Sequence, residues 1–517
     1  MTEDRLLQNT KGKTAVRCFD TYAELRACSG GTTASPLNLA IGEEQSIGGI
    51  FGWSTDRTSA DDGGTVIVPT DMARTGCWKR VYSGALNVKW FGAMGDGLAL
   101  DTTAVLAALR ATPDGGAIYF PAGVYKIDRA IDPGIKALAL RGDGWRTLTG
   151  SPWGAPDWTA EPPAPPPILG SVIKAISGSE DAIRLSHETY RGLSLHDIAL
   201  LGPGAGTAVG INAGVGAQNN EIKASNILIA NFKNGIRFNN SLDSTLLDLN
   251  VRSCETGLFF ESVVTDTRFY SVNIQDCTDG ILARSGSLIR FYGGLFQNNT
   301  RAIHLSPDGA GTELWHLDGI WTEGNGKSLV ADGSRAPISQ LSFSAWRSGD
   351  TFAFEPTGTV TRVSFTSCDL PGWTFKPVSS DWLLCNVKLF DINFSLDPQR
   401  LTRINVNGVS SFQTHEAFQV PWNADTITLD SKGGELQQIV MTGDVAQLNP
   451  PTYRAVGSKV VLIVTQGGAG GFTIRSFGSN LRTDWSGTGP AGTSSSMTIM
   501  YIGQNNWMQV TPQTAWI

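Results

Sequence analysis

A degenerate repeat of 21 to 25 residues in the middle of the chain constrains the fold most. It is clearest in "SNILIANFKNGIRF" (225–238), "DLNVRSCETGLFF" (248–260) and "SVNIQDCTDGILA" (271–283), and "GGLFQNNTRAIHL" (293–305) and "DGIWTEGNGKSLV" (318–330) continue it more loosely. When Asn226, Asn250, Asn273, Gly294 and Gly319 are taken as equivalent, the steps are 24, 23, 21 and 25 residues. Self-similarity at such a period indicates a repeat architecture.

The repeat unit is built from strands. Its apolar residues alternate with a period of two, and the 3.6-residue period of a helix is missing. Helical repeats are therefore excluded, and a four-stranded propeller blade would need nearly twice the length. One unit cannot bury its apolar face alone, but stacked units can. We predict a mainly β chain with a right-handed parallel β-helix from about residue 130 to 410.

The stretch "VKWFGAMGDGLALDTTAVLAALRATPDGGAIYFPAGVYKI" (88–127) precedes the repeats. It predicts a strand over 88–91, a turn at 95–97, a helix over 102–111 and a strand over 117–120. Asp101 or Thr102 is the expected N-cap. The apolar stripe of this single helix must pack against something, so we expect the helix to cover the exposed edge of the first rung.

The same stretch resembles the opening motif of the pectate-lyase-like family found in bacteriophage tailspikes and capsule depolymerases. It departs from the family at "LDTT", where a single aspartate stands. Residues 48–84 resemble the small module that precedes this motif in many tailspikes, and the last hundred residues resemble the terminal β domain of tail fibres. The resemblance implies a homotrimeric phage tailspike that binds and depolymerises a bacterial surface polysaccharide, either capsule or O-antigen.

Three domains are expected from these patterns. Residues 1–86 form an attachment module for a phage tail or baseplate protein, and residues 87–415 form the parallel β-helix with its capping helix. Alternating strands between glycine turns predict a β-sandwich over 416–517, which would hold three chains together, bind carbohydrate, or both. The polar start of the chain predicts no signal peptide, and the expected location is the virion tail.

Composition narrows the partners and the chemistry. The net charge of −7 argues against nucleic acid, and the absence of an 18-residue apolar run argues against membrane insertion. The seven cysteines form no CxxC spacing and read as packed thiols, and the five histidines are dispersed. No metal, no cofactor and no serine-nucleophile, phosphate-loop or dinucleotide motif is predicted.

Glycoside hydrolysis remains open because it needs only two carboxylic acids beside the scissile bond. Asp243 and Asp266 each lie seven residues before Asn250 and Asn273, in one turn column. Neighbouring rungs stand about 4.8 Å apart, which suits the roughly 5 Å separation of a retaining enzyme. The alternative is that both are ordinary turn aspartates.

A second group of acids crowds the corner between two strands: Glu255, Asp276 and Asp279. Their diagonal placement would suit the wider gap of an inverting enzyme, whereas the alternative is a solvated acidic corner. Glu323 is the last candidate. Its expected column of Ala230, Cys254, Cys277 and Asn298 is inward-facing, which predicts a partly buried general acid; the alternative is a corner glutamate bonded to Asn298 or to backbone.

Tryptophans are the candidate sugar-binding residues. Trp145, Trp153 and Trp158 fall in a proline-rich insertion at 143–168, and Trp315 and Trp321 lie near Glu323. Aromatic rings suit the faces of sugars, and the alternative is packing against the rungs.

Two other functions stay open. A polysaccharide lyase would remove a proton beside a uronate carboxylate, using groups such as His304, His316, Arg268, Arg290 and Arg301, although histidines on strands are more often structural. A non-catalytic adhesin or a purely structural tail component is the other alternative.

Overall fold

The computed structural model describes most of the chain. The described residues are 6–8, 15–28, 39–42, 48–70, 75–147, 168–186, 192–213, 221–309, 311–354, 356–370, 373–375, 382–385, 387–389, 401–405, 418–429, 436–451, 458–511 and 513–514. Within them, strands dominate and helices are few. No helix in this part of the chain is long and apolar enough to cross a membrane.

A parallel β-solenoid of about 13 turns forms the centre of the molecule, as the repeat predicts. The 27 strands described in it form one continuous sheet. They are Leu86–Asn87, Asp96–Leu100, Ala117–Phe120, Gly123–Ile127, Leu138–Gly142, Trp145–Thr147, Ile168–Ala175, Ile183–Leu185, Leu193–Leu201, Val209–Ala213, Ile222–Ala230, Asn234–Leu242, Thr245–Arg252, Thr256–Thr265, Arg268–Gln275, Asp279–Ala283, Gly286–Ser287, Arg290–Gln297, Arg301–Leu305, Thr312–Glu323, Lys327–Ser344, Arg347–Ser348, Thr357–Thr366, Asp369–Leu370, Trp382–Cys385, Lys388–Leu389 and Leu401–Asn405.

Each central rung presents three faces to solvent. A long strand such as Arg268–Gln275 is bent by one left-handed residue, here Ser271 with φ 57°. The part of the strand before the bend, here residues 268–270, forms face A with its outward side chains. The part after the bend, here residues 272–275, forms face B with its outward side chains. The following strand, here Asp279–Ala283, forms face C.

The bend corrects part of the predicted register. Asn250 does pair with Asn273, as expected. However, Ser225 pairs with Leu247 and Ile227 with Leu249, so Asn226 lies opposite Asp248 and not opposite Asn250. The equivalence of Asn273 with Gly294 is also wrong, because Asn273 pairs with Leu295. Turns that vary in length hide such shifts in the sequence.

The capping helix is confirmed as Thr102–Ala111. Its Val105, Ala108 and Leu109 are buried in the solenoid core. Residues Val88–Phe91 form a 3₁₀ turn and not the expected strand. Asp101 occupies the N-cap position without capping, because its carboxylate accepts the N–H groups of Met94 and Gly95. Burial raises the pKa of Asp101.

The solenoid interior combines stacked rings with a polar ladder. Phe269 and Phe291 stack with centroids 4.4 Å apart. A ladder of side-chain oxygens runs along the corner between faces B and C. Asn299, Asn325 and Asp350 each accept a hydrogen bond from a backbone N–H on the preceding rung, the donors being Cys277, Asn299 and Asn325 in that order. Cysteines 77, 254, 277 and 368 are buried, as expected of packed thiols.

A six-stranded sheet precedes the solenoid. Its strands are Leu6–Gln8, Ala15–Phe19, Leu39–Gly42, Gly49–Ser54, Val66–Ile67 and Cys77–Val81, and the helix Tyr22–Ala27 accompanies them. Arg80 joins this sheet to the solenoid, since its guanidinium lies 4.5 Å from the ring centroids of both Phe51 and Trp90. It also donates to Tyr22 Oη, which in turn donates to the carbonyl of Trp90.

A C-terminal β-sheet follows the solenoid, as predicted. Its six strands are Phe418–Gln419, Leu436–Met441, Lys459–Gln466, Leu481–Arg482, Ser494–Gly503 and Asn506–Gln509. A two-stranded sheet, Thr426–Thr428 with Gln447–Asn449, shares its apolar core. A further pair, Phe352–Phe354 with Trp373–Phe375, lies beside the last rungs.

Candidate functional site

Face A carries a stack of aromatic rings. Tyr270 and Tyr292 are register partners on neighbouring rungs, and their rings lie 5.1 Å apart with an interplanar angle of 18°. The His316 ring follows at 5.9 Å from Tyr292. Tyr270 and its register partner Leu247 are exposed. Solvent-facing rings with polar tips of this kind offer a flat apolar platform for sugar rings.

A ladder of alternating charges borders the stack. Arg268 donates to Asp243 at 2.9 Å and to Asp266 at 2.7 Å, and Arg290 donates to the second oxygen of Asp266 at 2.7 Å. Its hydrogen bond to Asp243 raises the pKa of Arg268. The arrangement fixes the edge of face A because each arginine joins two rungs.

A polar cleft lies at the bend between faces A and B. Its volume is about 340 Å³, and its lining includes Asp248 and Ser271 at the bend and Asn250, Asn273 and Leu295 on face B. Asn273 Oδ1 is shielded from water and has no hydrogen-bond partner within the described residues. An acceptor left in this state costs free energy.

Face B is open on one side of the cleft. Trp321 pairs in register with Leu295 and is 46% exposed, and the Arg347 guanidinium lies 5.4 Å from its ring centroid. Glu323, two residues further along the strand, is also exposed. This end of face B therefore combines an exposed ring with a carboxylate.

Face B is closed on the other side. Trp145 is half-buried, and its Nε1 donates to the carbonyl of Asn226 at 2.8 Å. It packs on an outward apolar cluster that includes Leu228 and Ala230. The open surface thus begins at the next rung, at Asn250 and Arg252.

The structure brings Asp243 and Asp266 together as the sequence predicts. Both residues have a left-handed backbone conformation. The N–H of Asp243 donates to the carbonyl of Thr265, and the N–H of Asp266 donates to the carbonyl of Ser287, in each case on the next rung. Arg268 lies between them, however, and arginine N–H groups occupy both oxygens of Asp266. Both oxygens of Asp266 therefore already accept a hydrogen bond from an arginine.

The second group of acids is divided. Glu255 and Asp276 are exposed at the turn between faces B and C, whereas Asp279 is buried. Asp279 accepts two hydrogen bonds from Arg301 and lies 3.2 Å from His304 Nδ1. Burial acts to raise the pKa of Asp279, but the hydrogen bonds from Arg301 and His304 outweigh it and the pKa is lowered.

The predicted burial of Glu323 is wrong. Its register column is Gln275, Gln297 and Glu323 on the outward side, and the inward column holds Cys277, Asn299 and Asn325. A shift of one residue in register moves a side chain from the interior to the surface. We call the exposed acids Glu255, Asp276 and Glu323 the acidic edge.

The tryptophans take different positions. Trp153 and Trp158 lie outside the described residues. Trp315 is in the solenoid core, where its Nε1 donates to the Gly286 carbonyl, so it packs and does not face solvent. Trp145 covers face B, and Trp321 alone among the three described candidates presents its ring to solvent on an open face.

Sequence reasoning missed the residues at the bend. Asp248, Asn250 and Asn273 line the cleft, and Tyr270 and Tyr292 form the stack. The signal for the tyrosines was their 22-residue spacing, which equals the step between their rungs. Asp248 could be found only with the correct register. Among the described residues, no three His, Cys, Asp or Glu side chains gather in a way that could hold a metal ion.

Two segments match known families. Residues 18–83 match the phage tail protein small four-stranded beta-sheet domain, and residues 85–152 match the family described as rhamnogalacturonase A/epimerase, pectate lyase-like. Two mannuronan C5-epimerases of Azotobacter vinelandii are 37% identical: AlgE4 over 99 residues (19% of this chain, 15% of the relative) and AlgE3 over 103 residues (20% and 5%). The chain therefore spans 15% or less of these relatives.

Solved tailspikes resemble the chain at low identity. The Acinetobacter baumannii phage AM24 tailspike is 15% identical with a TM-score of 0.47, covering 73% of this chain and 65% of that one. Tailspike gp49 of Acinetobacter baumannii phage Fri1, a capsular polysaccharide depolymerase, is 11% identical with a TM-score of 0.43, covering 96% and 92%. Residues 18–83 are thus similar to a phage tail β-sheet domain, and residues 85–152, at the start of the parallel β-solenoid, are similar to a pectate-lyase-like family.

Proposed function

We propose that the protein is a phage tailspike that binds a bacterial surface polysaccharide along faces A and B and depolymerises it. The observation that carries the proposal is the exposed stack of Tyr270 and Tyr292 directly beside the polar cleft. The phage tail domain before the solenoid supports the location in a virion tail. A homotrimer, attached through residues 1–86, remains part of the proposal.

Hydrolysis by the acidic edge is the chemistry we favour. A glycosidase needs two carboxylic acids that can exchange protons with the substrate and with water. Asp243 and Asp266 are bound by arginines, and Asp279 is buried against Arg301. Glu255, Asp276 and Glu323 are the exposed candidates that remain.

Elimination on a uronate polymer is the second candidate. It needs a base and an acid beside the sugar and a cation for the uronate carboxylate. Tyr292 and His316 lie side by side on face A, with Arg290 pairing in register with His316. Curated relatives of the chain are epimerases named for mannuronan, a uronate polymer, which favours this alternative over a simple adhesin.

The test is depolymerisation by the full chain. Capsule and lipopolysaccharide from a susceptible host are incubated with the protein, and polymer length, reducing ends and ultraviolet absorbance are followed. New reducing ends alone indicate hydrolysis, and new absorbance from a conjugated uronate indicates elimination. Unchanged polymer length, with or without binding, overturns the proposal.

Variants assign the chemistry. Asp276→Asn, Glu255→Gln and Glu323→Gln should each lower the hydrolysis rate, by about a hundredfold or more for an acid or base that acts directly. Asp308→Asn is the matched control, since Asp308 is an exposed acid 3.9 Å from Arg284 and away from the acidic edge. Full activity in all three variants would remove the acidic edge from the mechanism.

A further inference from the structure

Arginines of the solenoid are mostly paired with carboxylates. Salt bridges join Arg184 to Asp181, Arg237 to Glu261, Arg268 and Arg290 to Asp266, and Arg301 to Asp279. Arg252 lies in the middle of this region, on face B. It forms neither a salt bridge nor a hydrogen bond through its side chain within the described part of the chain.

The guanidinium of Arg252 is nevertheless partly shielded from water. The residue is only half-exposed, and its Nε is shielded from solvent without a partner. Burial lowers the pKa of Arg252, and the nearby charge of Asp276 offsets this only in part. Shielding part of a cation without a hydrogen-bonded anion costs free energy, so this arrangement differs from the satisfied ladder on face A.

The position of Arg252 connects it to the cleft. Asn250 and Arg252 are two residues apart on one strand, so both side chains project from face B. Asn250 lines the cleft with its register partner Asn273, whose Oδ1 also has no partner among the described residues. Beyond Arg252, Ala230 and the Trp145 ring close the face. An unsatisfied donor and an unsatisfied acceptor thus lie on neighbouring rungs of face B, near the closed end of an open surface.

We propose that Arg252 binds an anionic substituent, a carboxylate or a phosphate, of the polysaccharide that occupies the cleft. This rests on the proposed function and names the class of its substrate as acidic. The planar fork of a guanidinium matches both groups by two parallel hydrogen bonds. The hydroxyl groups of a neutral sugar would leave the positive charge uncompensated. Asn273 Oδ1 accepts a hydrogen bond from a hydroxyl group of the same sugar unit.

Equilibrium titration of the full chain tests the site. The probes are a mannuronate oligosaccharide, a glycerol-phosphate oligomer and a maltose oligosaccharide of similar length, and they separate carboxylate, phosphate and neutral ligands. At least one charged probe should bind tenfold or more tightly than the neutral one. Arg252→Gln should remove that preference, and Arg252→Lys should restore only part of it because lysine lacks the fork.

Arg237→Gln is the matched control. It removes the same charge from the same solenoid, but Arg237 is already occupied by Glu261. Binding in this variant should stay within twofold of wild type. Equal losses in the Arg237 and Arg252 variants would indicate non-specific charge attraction and overturn the proposal. Charged probes that bind no better than the maltose oligosaccharide, or fail to bind at millimolar concentration, would also overturn it.

The result of the Arg252 binding test can be distinguished from the result of the depolymerisation test. A chain that depolymerises a bacterial polysaccharide equally well as wild type and as Arg252→Gln keeps its function and loses this site. A chain that prefers an anionic probe through Arg252 but shortens no polysaccharide keeps the site and loses the enzymatic function.

Discussion

Two arginines in this chain are shielded from water to different degrees, Arg80 almost fully and Arg252 in part, and their surroundings differ. Arg80, at the joint between the N-terminal sheet and the solenoid, is 6% exposed and donates to the carbonyls of Gly64 and Gly48 and to Tyr22 Oη. The side chain of Arg252, on face B, donates no hydrogen bond to any of the described residues. Burial lowers the pKa of both.

The comparison separates structural from functional charges. A buried cation whose hydrogen bonds are satisfied holds its surroundings together, because removing it leaves acceptors without donors. A buried cation without partners destabilises the protein that carries it, and such groups concentrate where a ligand supplies what is missing. Substitutions at paired and unpaired arginines should therefore act on different properties.

The largest effect on stability is expected at Arg80. Arg80→Ala removes three hydrogen bonds and two ring contacts at the joint, and we expect a loss of about 3 to 4 kcal/mol. Chemical denaturation followed by tryptophan fluorescence should show an earlier transition of the N-terminal sheet. The neighbouring Lys79→Ala, which breaks only the surface pair with Asp56, should leave the midpoint unchanged. Equal effects of the two substitutions would contradict the structural role of Arg80.

A smaller effect is expected at the paired carboxylate Asp279. Asp279→Asn leaves Arg301 without its anion, and since Arg301 is a third exposed we expect about 2 kcal/mol, below the value for a fully buried pair. The lowered pKa of Asp279 gives the effect a pH dependence. The stabilisation is complete above the ordinary aspartate pKa of about 4 and is lost as the pH falls through the lower value of the folded protein.

Urea midpoints at about pH 6 and about pH 3 measure this dependence. The gap between wild type and Asp279→Asn should narrow at the lower pH, because acid protonates the wild-type carboxylate. Asp308→Asn, which alters a largely exposed acid, should show no such change. A gap that widens in acid would mean that Asp279 is not held as a carboxylate by Arg301 and His304.

The sequence was informative about the fold because the repeat encodes it directly. The period of the strands, the capping helix over 102–111 and the neighbouring turns of Asp243 and Asp266 all follow from spacing alone. The geometry of the corners did not follow from spacing. One left-handed residue in mid-strand, such as Asp248 or Ser271, changes the register without a constant sequence signature, since asparagine, serine, aspartate and glycine all occupy it.

The register at the bends determined which site residues could be predicted from the sequence. Placing Glu323 in one column with Cys277 and Asn298 made it an interior acid, whereas its true column with Gln297 places it on the surface. Arg252 could not be singled out at all, because its lack of a partner depends on which carboxylates the register places near every other arginine. Sequence alone gives the number of charges but not their pairing.

Arg252 itself should contribute little to stability, or oppose it. Arg252→Met keeps the length of the side chain and removes the unpaired charge, so we expect the unfolding free energy to change by less than about 1 kcal/mol or to increase. Denaturant midpoints of Arg252→Met and Arg301→Met, compared with wild type, provide the measurement. Arg301→Met should lose stability because it leaves buried Asp279 without its principal partner. Similar losses in both would mean that Arg252 has partners in the folded protein.

The smallest effect is expected where a pair is exposed. The Asp243 side chain is 65% exposed and, within the described residues, pairs only with Arg268, which keeps its second bond to Asp266. Asp243→Asn should change the unfolding free energy by about 0.5 kcal/mol or less, and added salt should reduce even that. Asparagine is the suitable replacement because position 243 has φ 51°, where alanine would add a backbone cost of about 1 kcal/mol. A loss near that of Asp279→Asn would show that pairing stabilises this solenoid regardless of burial, and the distinction between Arg80 and Arg252 would then rest on pairing alone.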